Sequence, residues 1–236
     1  LVVPEPMSRI NCAEAEAGSV PFNLANDDPL ATLRSQAAAL TIMVYLSGSP
    51  FDTIALLGTL LGEAATWRTR GAYSEANTTA APTFDTGVIP FRASANLGRR
   101  PFYHGLHKLA AAHVVTRLRI DITNPGPTFI ARHLIIGKAR QSINFSPGAG
   151  QAPFHMGSVS RTPFGSPDPV RGWRGRSIDF GLSWLSEAEY EAKWSDLEML
   201  VGTTDPVLVL PNSKNNAYRH DRIGFGVIEQ MRGENV

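Results

Sequence analysis

Between Val114 and Lys138 the chain alternates polarity with a strand's rhythm. Leu118, Ile120 and Ile122 alternate with Arg117, Arg119 and Asp121. A period of two gives one apolar face and one charged face. Asn124-Pro125-Gly126-Pro127 interrupts the run, because proline lacks a backbone donor and glycine accepts φ > 0. A second run then places Ile130, Leu134 and Ile136 on one face and Ala131, His133 and Ile135 on the other. Two such runs joined by a short turn predict an antiparallel hairpin.

The same patterning predicts further strands at Thr41 to Ser47, Phe51 to Gly58, Ala65 to Tyr73 and Phe84 to Phe91. Thr41 to Ser47 is apolar on both faces, as expected of a strand covered on both sides. Residues 1–40 read as irregular, with a short helical piece at 28–38, and Asn77 to Pro82 reads as a polar, mobile loop. Glycine and proline cluster at 147–153 and mark a boundary. Beyond it, strands at His155 to Arg161 and Arg174 to Trp184 flank a proline- and glycine-rich arm, Thr162 to Gly172. One helix is predicted from Ser186 to Val201. Ser186 and Glu189 form a capping box, and Tyr190, Trp194, Leu197 and Val201 make one buried stripe. Gly202 and Asp205-Pro206 stop it, and strands follow at Val207 to Leu210 and Ile223 to Met231. The expected organisation is an irregular segment 1–22, a β-sandwich 23–150, and an α+β domain 151–236 with helix 186–201.

Bulk properties narrow the partners. A net charge of +1 on 236 residues supplies no field for nucleic acid or an anionic membrane. No apolar run approaches the roughly 20 residues that span a bilayer. Leu1-Val2-Val3-Pro4-Glu5-Pro6 lacks the basic start and apolar core of a signal peptide, and a start at Leu suggests a trimmed N-terminus. Cys12 is the single cysteine, so it forms no internal disulfide and suits a reducing compartment as an inert thiol.

Reactive constellations are missing from the pattern. There is no nucleophile elbow, P-loop or dinucleotide glycine motif. His104 and His107 have H-x-x-H spacing but no third ligand nearby, and read as surface histidines on a turn. Asp27-Asp28 suits a helix cap or turn better than a calcium loop. Glu187, Glu189 and Glu191 share one helix, so they complement its dipole rather than face each other across a cleft. No catalytic residue, metal site or cofactor is therefore expected. Arg161, Phe164, Arg171, Trp173, Arg174 and Arg176 gather around the arm, a mixture suited to a protein–protein contact. Trp67, Tyr73, Arg99, Arg100, Phe102 and Tyr103 are the aromatic and basic residues that could meet a glycan from loops; as sandwich core or rim they would be structural.

Asn23-Leu24, the lead-in from Pro29 to Ser35, Phe51 to Gly58, Arg117 to Ile120 and Ala131 to Lys138 together resemble tailed-bacteriophage proteins with an N-terminal discoidin-like (galactose-binding-like) jelly-roll. The resemblance covers roughly Asn23 to Gly148 and implies an eight-stranded jelly-roll sandwich in a tail, minor-tail or tail-tip protein. The helix followed by Asp205 to Pro211 is similar to the tail-tube or distal-tail β-barrel with a flanking helix. It implies a non-enzymatic structural component, packed with copies of itself in a ring and touching tube, hub or tape-measure proteins. Its place would be the virion tail, assembled in the host bacterial cytoplasm. The alternative is a carbohydrate-binding or adhesin module that recognises a host glycan.

Overall fold

The structure, a computed structural model, describes residues 1–26, 28, 30–92, 102–141, 150–155, 158–161, 166–170, 174–181, 186–211 and 222–229. The alternating runs become the strands of a sandwich. In chain order these are β1 (Met7–Asn11), β2 (Leu33–Ser35), β3 (Ala39–Leu46), β4 (Phe51–Thr59), β5 (Thr66–Ala72) and β6 (Phe84–Asp85). There follow β7 (Ile89–Pro90), β8 (Tyr103–His113), β9 (Arg117–Thr123), β10 (Phe129–Ala131) and β11 (His133–Gly137). The first sheet runs β1-β3-β9-β5, with β6 and β7 both paired to β5. The second runs β11-β4-β8, and β10 pairs with β2 beside it. Every pairing is antiparallel, and the sheets stay open rather than closing into a barrel. The protein is mainly β, with a jelly-roll sandwich as its principal module.

Leu40, Ile42 and Val44 of β3, Leu118, Ile120 and Ile122 of β9, and Trp67 of β5 meet Ile54, Leu56, Leu134 and Ile136 in one core. Each large apolar side chain contributes about 1.5–3 kcal/mol by leaving water. On the outer face of the first sheet, Asp121 accepts hydrogen bonds from Arg119, Arg70 and Thr41. Partly exposed ion pairs of this kind contribute about 0.2–1 kcal/mol, so burial decides the fold and the charges decorate it.

The expected hairpin does not form. Both edges of β9 are taken, by β3 and by β5, while β11 pairs with β4 in the opposite sheet. Asn124 at φ 53° and Gly126 at φ 96° instead turn the chain across the sandwich. The strand covered on both sides is β4 rather than Thr41 to Ser47. Ala55, Leu57, Leu106 and Ile135 form its second face, beneath Val2, Leu208 and Ile223. There β16 (Val207–Val209) pairs with β17 (Gly224–Gly226), and Val2 exchanges two backbone hydrogen bonds with Leu208, at 2.8 and 2.9 Å. Gly137 makes the approach possible, since a Cβ there would lie 2.2 Å from the Val3 carbonyl oxygen. Residues 201–236 consequently group with 1–140, and 141–200 form a second unit, instead of one domain spanning 151–236. The stretch expected as a mobile loop contains a one-turn helix, α1 (Asn77–Ala80), with Thr78 buried.

The second unit holds β12 (Gly150–His155), β13 (Ser158–Arg161), β14 (Pro167–Val170) and β15 (Arg174–Asp179). β12 pairs with β15 and β13 with β14, two antiparallel ladders nested in sequence as a ribbon. The predicted single helix is two, α2 (Glu187–Lys193) and α3 (Leu197–Val201). The cap is present: the Glu189 amide donates to Ser186 Oγ at 3.2 Å. The break follows from Ser195, whose hydroxyl donates to the Glu191 carbonyl at 2.9 Å while the Trp194 and Ser195 amides both donate to Tyr190 O. Leu197 and Val201 of the predicted stripe are buried, whereas Tyr190 is exposed.

Candidate functional site

Aromatic and arginine side chains converge where β4 ends and β8 begins. Between Leu56 and Thr59 the pairing with β8 slips, and Gly58 sits at φ 61°. This bulge needs glycine twice over: the conformation is left-handed, and a Cβ would lie 2.8 Å from Cδ of Arg132. Gly58 also donates its amide to His104 Nδ1 at 3.0 Å. The Arg132 stem crosses the bulge and lays its guanidinium over the Phe102 ring, 4.1 Å from the centroid. A second stack stands beside it, with the guanidinium of Arg92 3.6 Å from the centroid of Tyr103.

The two stacks have different jobs. Arg92 is buried, donates from Nη2 to the Leu61 carbonyl at 2.8 Å and pairs through Nη1 with Glu63 at 3.6 Å. It therefore braces the turn after β4 against Tyr103. Phe102 and Arg132 are only half-buried. A guanidinium stacked over a ring has its rotamer restricted while its terminal Nη groups can still donate. The Nε atoms of both arginines are buried with no hydrogen-bond partner among the described residues. With Nε buried, the terminal Nη pair of Arg132 is the part suited to bidentate hydrogen bonding to vicinal hydroxyls or a carboxylate, beside the half-buried Phe102 ring.

The six glycan candidates do not form one site. Trp67 is 2% exposed and packs 5.1 Å from Phe91, so it is core; the alternation that aims it inward also aims Arg68 outward. Tyr73 is 62% exposed but follows β5 at the opposite end of the sandwich. Tyr103 is buried under Arg92, and Phe102 beside it is partly open. Arg99 and Arg100 lie outside the described residues. Patterning missed Arg92, Arg132 and Gly58; the one available signal was the glycine closing the apolar run of β4. Of the arm set, Arg161 is exposed at the end of β13, and Arg174 and Arg176 lie on β15 opposite His155 and Pro153. Phe164, Arg171 and Trp173 lie outside the described residues.

His104 and His107 sit on β8, not on a turn. Three residues apart on a strand they face opposite ways, with His107 against Trp67. Among the described residues no three His, Cys, Asp or Glu side chains gather as a metal site would require. Asp28 does make a turn, its carboxylate accepting from the Leu30 amide at 2.8 Å. Burial pushes the Cys12 thiol up to about 11, so it stays protonated at neutral pH.

Compared with known proteins, the sequence matches no family model and no curated protein. Among solved structures it is similar to a GH29 fucosidase from Ruminococcus gnavus in complex with fucose, at 10% identity and a TM-score of 0.42. That alignment covers 55% of this chain and 25% of the fucosidase, so the chain spans only a fraction of that protein's length. CpGH89CBM32-5 from Clostridium perfringens, in complex with GalNAc-beta-1,3-galactose, aligns at 10% identity and a TM-score of 0.44, over 58% of this chain and 99% of that one. Reduced XRCC1 bound to the DNA pol beta catalytic domain aligns equally well, at 10% identity and 0.44, over 59% and 100%. Scores at this level carry no argument about what the present chain binds.

Proposed function

We propose that the sandwich is a binding module that recognises carbohydrate without altering it covalently. The observation that supports this reading is the half-buried Arg132–Phe102 stack, where a guanidinium and an aromatic ring are held against each other at one end of the sandwich. Sugars present that same pair of demands, an apolar ring face and adjacent hydroxyls. A glycan array with the full chain tests it. Wild type is expected to bind a defined subset, Phe102→Ala to lose it, and Arg132→Lys, which keeps the charge but not the fork, to weaken it about tenfold or more. Glu63→Gln, on the bracing side, should bind as wild type does. A chain that binds no glycan, or an Arg132→Lys variant indistinguishable from wild type, sinks the reading.

One observation favours a second reading, the non-enzymatic tail component. The second unit carries a long ribbon whose described side chains Ala152, Ser158, Ser160, Arg161, Val170 and Ser177 are exposed. An element of that kind reaches for a neighbour more readily than it supports a core of its own. On this reading the chain assembles with copies of itself and with neighbouring tail proteins, in a virion put together in the host cytoplasm. The two readings are compatible, since one uses the sandwich and the other the second unit.

A further inference from the structure

Charge within the second unit is divided between its two parts. Residues 150–180 hold four arginines (161, 171, 174 and 176) against two aspartates (168 and 179), a net of +2. Residues 186–200 hold Glu187, Glu189, Glu191, Asp196 and Glu198 against Lys193, a net of −4. Large apolar side chains accompany both signs. Val170 is exposed on the ribbon, and Tyr190, Leu200 and Met199, the last at 90%, are exposed on the helices. Apolar side chains exposed on both parts give a contact something to bury besides charge.

We propose that the ribbon of one copy docks on the α2–α3 segment of a second copy, with its arginines facing the helical carboxylates. This rests on the assembly reading and names the surfaces that would serve it. The occupant follows from complementarity. A polyanion would satisfy the ribbon and leave the acidic helices unpaired, whereas a second copy satisfies both parts at once. Two different patches meet, so the contact is heterologous and propagates from copy to copy into a ring or a filament. Two-stranded ribbons are marginal alone in water, and docking would cover the side chains that are exposed among the described residues.

Sedimentation of the full chain and of two charge-reversed variants decides the matter. One variant carries Arg161→Glu, Arg174→Glu and Arg176→Glu; the other carries Glu187→Arg, Glu191→Arg and Asp196→Arg, which takes residues 186–200 from −4 to +2. Wild type should self-associate, less so as salt rises, because exposed charges are screened over about 10 Å at 0.1 M salt. Each variant alone should associate about tenfold more weakly or worse, since its ribbon and helices then carry like charge. Mixing the two should restore association, because each ribbon meets helices of opposite sign on the other variant. Circular dichroism of each variant checks that the substitutions leave the fold intact. Variants that associate like wild type, or a mixture that stays dissociated, overturn this contact while assembly by another surface survives. Wild type remaining monomeric up to about 1 mM, the weak limit of specific association, overturns the contact and the assembly reading together.

Discussion

Asp85 and Asp121 tie the outer face of the first sheet to pH. A hydrogen-bonded ion pair with Arg68 holds the Asp85 carboxyl down at about 2. Burial alone would raise Asp121, but hydrogen bonds from Arg119, Arg70 and Thr41 outweigh it and leave this carboxyl below its usual range. In the unfolded chain aspartate titrates near ~3.9. A folded value below the unfolded one means stability that is fully present above about pH 4 and is lost as pH falls toward the folded value. Urea midpoints measured from pH 5 down to pH 2 should therefore decline in that window. Asp85→Asn should begin lower and decline less. Equal declines in both proteins would remove Asp85 from the explanation.

At the scale of elements, period-two alternation located β5 and β9, each with one face in the core, and apolar runs located β3 and the β10–β11 stretch. Neither could locate pairing, which depends on which edges are already occupied: β9 is flanked by β3 and β5, so its sequence neighbour had to pair elsewhere. β8 was missed outright. Its Leu-Ala-Ala-Ala stretch and three histidines blur the alternation, yet it is the longest strand because β4 beside it is long and apolar. The helix from Ser186 was legible at its cap and not at its break, since the Ser195–Glu191 hydrogen bond is a local competition that periodicity does not register. The Arg132–Phe102 stack was equally hidden, because it joins residues flanking strands that are distant in sequence, across a bulge. Doubly covered strands are the sharpest test at this scale. Leu208→Ala should cost about 2–5 kcal/mol by opening a cavity over β4, read as a shift in the denaturation midpoint at unchanged slope. A loss under about 1 kcal/mol would mean that residues 201–236 lie on the second sheet without belonging to its core.

Across the whole molecule the two units differ in how their backbone hydrogen bonds are protected. β3, β4 and β9 each pair on both sides, with side chains buried between layers. The ladders of the ribbon have, among the described residues, one partner strand each, and the side chains described there are mostly exposed. Local opening follows local burial, so the molecule should exchange its amides in two regimes. Hydrogen exchange on the dilute full chain is expected to leave β3, β4 and β9 protected toward the global limit while β12 to β15 exchange orders of magnitude faster. Raising the protein concentration adds a discriminating step. If copies dock through the ribbon, β12 to β15 and α2 should slow together while the sandwich core stays unchanged, because only the docked surfaces gain cover. A ribbon as protected as β4 at low concentration would show that it already has a cover within its own chain, and would leave the neighbouring copy with nothing to supply.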